Sequence, residues 1–318
     1  MSFLKNPRGF VPIIIVLVVV ALSASLLILK KITTKTDSGV KILAQVVSQS
    51  PPPSPTATPT LAPTIKPTPK PTPVPTTPPP VLINNAPPGA GYSNQTVNVD
   101  GVNYPVKIVA ADLNSTKVIV DTASESNCAN NCPVLSLADY ASRNGAFAGI
   151  NGSYFCPADY ASCAGKTNSF DTIIMNKNKV YFNSDNNVYS TVPAAIFSAG
   201  SARFVGQSLE WGRDTSVDAV IANYPLLVAG GNINFTEAPN EPKFGGKAAR
   251  TFIATKGNMV YIGIVYNASM GESAKVLKAM AMDQAMNLDQ GGSTALWSGG
   301  YVAGPGRNIP NAVLFIRR

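Results

Sequence analysis

Between Ser50 and Pro80 the chain carries 14 prolines and 8 threonines. Proline fixes φ and has no N–H to give to a helix or a sheet ladder, and the residues between the prolines are mostly small or polar. This stretch can build no core. It reads as a semi-rigid polyproline-II spacer that, fully extended at ~3.1 Å per residue, spans about 90 Å. A ligand for a proline-binding module is the alternative reading. In either case the stretch divides the chain, and each side has to be read alone.

On the N-terminal side, Phe10 to Leu29 is an uncharged run of 20 residues, about the length that crosses a bilayer. Lys5 and Arg8 precede it and Lys30 and Lys31 follow, so the flanking charges leave the orientation open. The run is longer than the apolar part of a signal peptide and no small-x-small cleavage site directly follows it. An uncleaved anchor is therefore favoured over a cleaved signal. The expected organisation is a cytoplasmic tail (1–9), a transmembrane anchor (10–29), a juxtamembrane segment (30–49), a disordered Pro/Thr-rich linker (50–83) and one folded domain (84–318). Charge follows the same partition. Of 25 Lys and Arg and 17 Asp and Glu, eight basic residues and one acid (Asp37) precede residue 81. That leaves 17 against 16, a net of +1, for the domain. The basic character belongs to the anchor and the spacer, and a nucleic-acid partner has little support.

The chain contains no histidine. That excludes a Ser-His-Asp triad, a Cys-His dyad and any His-ligated metal, so acid–base work falls to Asp, Glu, Lys, Tyr or the backbone. The four cysteines, Cys128, Cys132, Cys156 and Cys163, have spacings that suit a zinc knuckle poorly. Behind an anchor, two disulfides are the better reading. Three connectivities are possible, and the local pairs Cys128–Cys132 and Cys156–Cys163 are preferred. Oxidised cysteines would place the domain outside the cytoplasm.

Apolar alternation from Thr96 to Val120, broken at Asp100-Gly101 and Asn114-Ser115, predicts a hairpin or meander. Pro133 to Asn144 has helical spacing, with Ser136 as N-cap and Gly145 as its stop. Ala146 to Ile150 is a strand that delivers Asn151 and Gly152 at its end. Further strands are expected over Asp171–Phe182, Ala194–Phe204, Ala219–Ala229 (interrupted by Pro225), Phe252–Thr255, Met259–Val265 and Ala312–Ile316. A second helix begins near Glu272. Many strands with two convincing helices predict an α+β domain around a mixed sheet.

A buried strand, Ala285 to Leu288, then runs into Asp289, Gln290, Gly291, Gly292, Ser293 and Thr294. The paired glycines let backbone N–H groups converge on an anion, and the acid can act as a base or nucleophile beside them. A tight turn capped by Asp289 is the plainer reading, as an ordinary Asn-Gly turn is for Asn151-Gly152.

Five segments in order, INGSYF (150–155), YPLLVAGG (224–231), ART (249–251), NLDQGGSTALW (287–297) and RNIPNAVLF (307–315), resemble the phosphodiester glycosidase domain, the family of the mannose 6-phosphate uncovering enzyme. The resemblance covers about residues 95–318. It implies hydrolysis of a sugar–phosphate diester at the anomeric carbon, a reaction that runs on carboxylates; no cofactor is expected, and whether a divalent cation assists is left open. It makes Asp289 the carboxylate of choice, with Asp171 or Glu272 as partner. The plain readings of those two are a turn residue and a helix start. It makes Arg250 a bidentate phosphate fork, for which a structural salt bridge is the alternative, and Arg307 a second cation. Gly291, Gly292 and Ser293 would offer N–H groups, while Asn151 and Asn311 would bind sugar hydroxyls. The expected partners are a carbohydrate phosphodiester and, through the N-terminal helix, a membrane. The family usually has a third glycine where Gln290 stands. That departure keeps open a second function, a sugar-phosphate-binding module without turnover.

Overall fold

The computed structural model describes residues 85–185, 189–236 and 242–318, and the expected anchor, juxtamembrane segment and linker lie outside them. The chain enters through strands β1 (Gly91–Val99) and β2 (Val102–Asp112). Asp100 and Gly101 turn this hairpin at φ 51° and 81°, the pair of positive values that an Asp-Gly turn supplies. The expected meander stops there. Leu113 is buried and its N–H donates to the Asn258 carbonyl at 3.0 Å, so β3 (Thr116–Thr122) leaves β2 for a different sheet. Helix α1 (Leu137–Asn144) starts at Ser136, whose Oγ accepts from the Asp139 N–H at 3.1 Å while Asp139 accepts from the Ser136 N–H at 3.3 Å. It ends at Gly145 with φ 58°, the left-handed stop that glycine allows.

After β4 (Ala148–Asn151) come the short strands β5 (Ile174–Met175), β6 (Tyr181–Phe182), β7 (Ala194–Ser198), β8 (Ser201–Val205), β9 (Ala219–Ala222), β10 (Leu226–Ala229) and β11 (Asn232–Ile233). Pro225 divides the apolar run 219–229 as expected, but it also hands the chain from one sheet to another. A single turn, α2 (Pro242–Gly245), precedes the long strands β12 (Ala248–Lys256) and β13 (Met259–Ala268). Helix α3 (Met270–Ala279) follows, then β14 (Gln284–Asn287), β15 (Leu296–Ser298), β16 (Tyr301–Ala303) and β17 (Asn311–Arg317).

These strands form three sheets, ordered β1-β2-β13-β12-β14-β10-β11, β16-β15-β4-β17-β3 and β6-β5-β9-β7-β8. Every pairing among them is antiparallel, which corrects the expectation of a mixed sheet. Parallel neighbours need crossovers of a dozen or more residues, and α1 and α3 are too few to supply them. The domain is strand-rich and sheet-dominated, as expected.

One face of the first sheet (Val109, Ile262, Ile264) shares a core with Val120, Ile150 and Val313 of the second and with Phe197 and Ile221 of the third. The other face (Val106, Ile108, Phe252) is covered by Met270, Ala274 and Leu277 of α3. Burial on both faces explains why β12 and β13 read as continuous apolar runs. Both expected local disulfides are present, Cys128–Cys132 and Cys156–Cys163, with Cα atoms 5.6 and 5.3 Å apart.

Candidate active site

Two strand exits meet at the site. Strand β4 ends on Asn151 with Gly152 next, β14 ends on Asn287 just before Leu288 and Asp289, and the Asp289 N–H donates to the Gly152 carbonyl at 2.8 Å. Gly152 has to lack a side chain, because a Cβ there would stand 1.9 Å from Asn311 Oδ1. The fully buried Asn151 closes the junction. Its Nδ2 donates to the Asp289 carbonyl at 2.6 Å and its Oδ1 accepts from the Ala295 N–H at 3.1 Å. Thr251 Oγ1 donates to the same Asp289 carbonyl. The backbone of Asp289 is thus clamped, and its side chain faces a cleft of about 510 Å³ lined also by Tyr154, Tyr160, Lys243, Arg250 and Arg307.

Asp289 is 8% exposed. Burial pushes its carboxyl up to about 6, against hydrogen bonds from Ser293 and the Gln290 N–H and the attraction of Arg307 and Lys243. Among the described residues lining the cleft it is the one acid, facing Lys243, Lys247, Arg250 and Arg307. Such a site favours an anion, and holds a carboxylate poised near neutrality to react with it.

The expected partner acids are not in the cleft. Asp171 is exposed and lines a separate small cavity beside Lys166 and Thr172. Glu272 caps α3, accepting from the Ser269 N–H at 2.7 Å, and pairs with Lys247. Although burial opposes it, those bonds hold the Glu272 carboxyl down to about 2. It is the helix start that its position after Ser269 allows. Asn151 and Asn311, expected to bind sugar hydroxyls, are buried and spend their amides on protein groups. Asn311, 1% exposed, accepts from the Ser153 N–H at 2.9 Å and donates to Ser153 Oγ at 3.1 Å. Both asparagines sit at strand ends whose backbone must turn sharply, and their amides satisfy groups that the sheets leave unpaired.

Arg250 reaches the cleft wall with its hydrogen bonds already spent. Nε donates to the Ala268 carbonyl at 3.0 Å. Nη1 donates to Gln290 Oε1 at 2.6 Å and the Lys243 carbonyl at 3.5 Å, and Nη2 to the carbonyls of Phe244 (3.1 Å) and Gly246. The five donors of a guanidinium meet five oxygens. It pins α2 and Gln290 and gives the cleft positive charge, but it does not present the open fork expected for phosphate. Arg307 is more available, pairing with the exposed Asp159 at 3.2 Å and lying 5.2 Å from the Tyr160 ring centroid. Gly292 makes room for it, since a Cβ there would fall 2.1 Å from Arg307 Nη2. Gly291 (φ 67°) and Ser293 line the same wall.

Sequence reasoning missed Tyr154, Tyr160, Lys243 and Lys247. Tyr154 lies inside the INGSYF segment, so its neighbours marked it. Tyr160 and Pro157 belong to the loop closed by Cys156–Cys163, so that disulfide closes the loop that supplies this part of the wall. Lys243 lies 4.6 Å from the Tyr154 ring centroid, in a segment with no periodicity to flag it.

Residues 144–316, just over half of the chain, match the family described as phosphodiester glycosidase. No curated protein matches the chain. Among solved structures, the catalytic domain of zebrafish N-acetylglucosamine-1-phosphodiester α-N-acetylglucosaminidase, auto-inhibited by pro-peptide, is similar with TM-score 0.54 and 16% identity. The match covers 72% of this chain and 83% of that one. A hypothetical protein from Synechocystis is similar with TM-score 0.50 and 13% identity, covering 71% of this chain and 62% of the Synechocystis chain. At these identities the likeness is one of fold.

Proposed function

The chain belongs to the phosphodiester glycosidase family, and from that premise we propose that it hydrolyses a sugar-1-phosphodiester in surface or extracellular glycans. The observation that carries this reading is a single buried carboxyl, held near 6, in a cleft lined by four cations. Glycosidases that expel an alcohol use two carboxylates, one of them to protonate the leaving oxygen. A phosphate leaves as a stable anion, so one carboxylate is enough. Ionised Asp289 attacks the anomeric carbon directly or through a water. The electron pair of the broken C1–O bond passes to the phosphate, and Lys243 and Arg307 stabilise the charge that collects there. Gln290, bonded to Arg250, fills the wall at the position where the family usually has glycine.

The enzyme is tethered in this reading. Phe10–Leu29 is the anchor, 50–83 the spacer and the domain lies outside the cytoplasm, as two disulfides favour. Among the described residues no helix is long and apolar enough to cross a membrane, and the proposed anchor lies outside them. The test is release of free sugar from a nucleoside diphosphate sugar or an alkyl glycosyl phosphate in heavy-oxygen water. Label in the sugar and loss of release in Asp289→Asn support the proposal. Label in the phosphate means attack at phosphorus and overturns it, and tight binding without release favours a binding module.

A further inference from the structure

With Asp289 the one acid among the cleft's described lining residues, the leaving oxygen has no second carboxyl to face. Of the two phenols among those lining residues, Tyr160 is exposed, whereas Tyr154 is half-buried and held in place. Its backbone N–H is fixed by Asn223 Oδ1 at 2.9 Å, and its oxygen accepts from Asn287 Nδ2 at 2.7 Å. The orientation of the Asn287 amide is settled on its other side. The same Nδ2 donates to the Tyr224 carbonyl at 3.1 Å, and a carbonyl cannot face Oδ1. The Tyr154 oxygen is therefore an acceptor in that bond, which leaves its own proton for another partner. Tyr154 lines the cleft, close enough to Asp289 and Arg250 to feel both charges.

We propose that Tyr154 is a catalytic residue of the reaction proposed above, donating a hydrogen bond from its phenol to the oxygen that leaves the anomeric carbon. The proton is not transferred. As C1–O breaks, the electron pair settles on the phosphate oxygen, the phenol stays neutral and its O–H bond remains intact. Burial, with Asp289 adding to it, raises the phenol's pKa, so a phenolate is disfavoured and donation without transfer is the role open to it. Lys243, 4.6 Å from the ring centroid, brings positive charge to the same place. Tyr154 is then the substitute for the missing second carboxyl, suited to a leaving group that needs stabilising and does not need protonating. This inference rests on the phosphodiester glycosidase reading.

The test is Tyr154→Phe, which keeps the ring and leaves Asn287 Nδ2 its bond to Tyr224. Wild type and variant are compared on a series of aryl glycosyl-phosphate diesters whose leaving phosphates differ in basicity. A hydrogen bond to a charged acceptor predicts a fall in kcat of about ten- to hundredfold with KM little changed. The fall should grow as the leaving group becomes more basic, so the variant shows the steeper dependence. An active wild type with parallel dependences, or a change confined to KM, overturns the role of Tyr154 alone. A wild type inert toward every diester overturns both this role and the proposed function.

Discussion

Replacing Asp289 by Asn should make the protein more stable while abolishing its activity. The Asp289 carboxyl is raised by burial from its ordinary 3.8 to about 6. A group raised in the folded state adds stability that is fully present below its unfolded pKa and is lost as pH rises through the folded one. From below pH 4 to well above pH 6 the wild type therefore loses about 3 kcal/mol in all, roughly two pKa units at ~1.36 kcal/mol each. Asparagine is neutral throughout, and its carbonyl can still accept from the Gln290 N–H, now 2.9 Å from Oδ1. It forfeits the attraction of Lys243 and Arg307, which is already included in the net shift. The variant should match the wild type at pH 4 and exceed it by about 2–3 kcal/mol at pH 8. For a domain of this size that is a rise in Tm of roughly 5–10 °C. Denaturant unfolding at intervals from pH 4 to pH 8, with both disulfides kept oxidised, measures the difference directly. A variant less stable at pH 8, or a difference that does not change with pH, would refute the assignment of Asp289 as a buried acid strained toward neutrality.

Two further outcomes are expected. With ionised Asp289 as the proposed attacking group, kcat/KM should rise with pH through a midpoint near 6, and a rate that falls over that window would contradict the proposed role. Gly292→Ala should raise KM steeply, because its Cβ would enter the space of Arg307 Nη2, 2.1 Å away. Gly291→Ala meets nothing within 4 Å and suffers only the strain of a positive φ of 67°, about 1–2 kcal/mol of stability, so thermal melts and KM values should separate the two.

Local structure was legible in the sequence wherever a few adjacent residues decide it. Ser136 and Asp139 stand three apart before an apolar run and form the capping box, Asp100-Gly101 makes the hairpin turn, and Cys156 pairs with the near Cys163. Asp289 stood out because an acid at the end of a buried strand is costly unless something uses it. The division into three sheets was not legible, since alternation tells which side chains share a face but not which strand lies alongside. Asn151 and Asn311 show the same limit at the site. An amide at a strand end looks alike whether it meets a ligand or ties down a neighbouring loop, and here the groups it satisfies lie 138 to 158 positions away. Lys243 has no pattern of its own. It lines the cleft where Arg250 binds the carbonyls of Lys243, Phe244 and Gly246 and so holds α2 against the site.

That cationic lining bears on how each cycle must finish. In the proposed reaction, hydrolysis turns a singly charged diester into a phosphate free to carry a second negative charge, while the sugar that leaves has none. The half of the substrate that has been cut away is therefore the one the walls grip harder, and the step after bond breaking falls to its escape past Lys243 and Arg307. A surrounding medium rich in ions, by screening those two side chains, would ease that departure at some cost to capture.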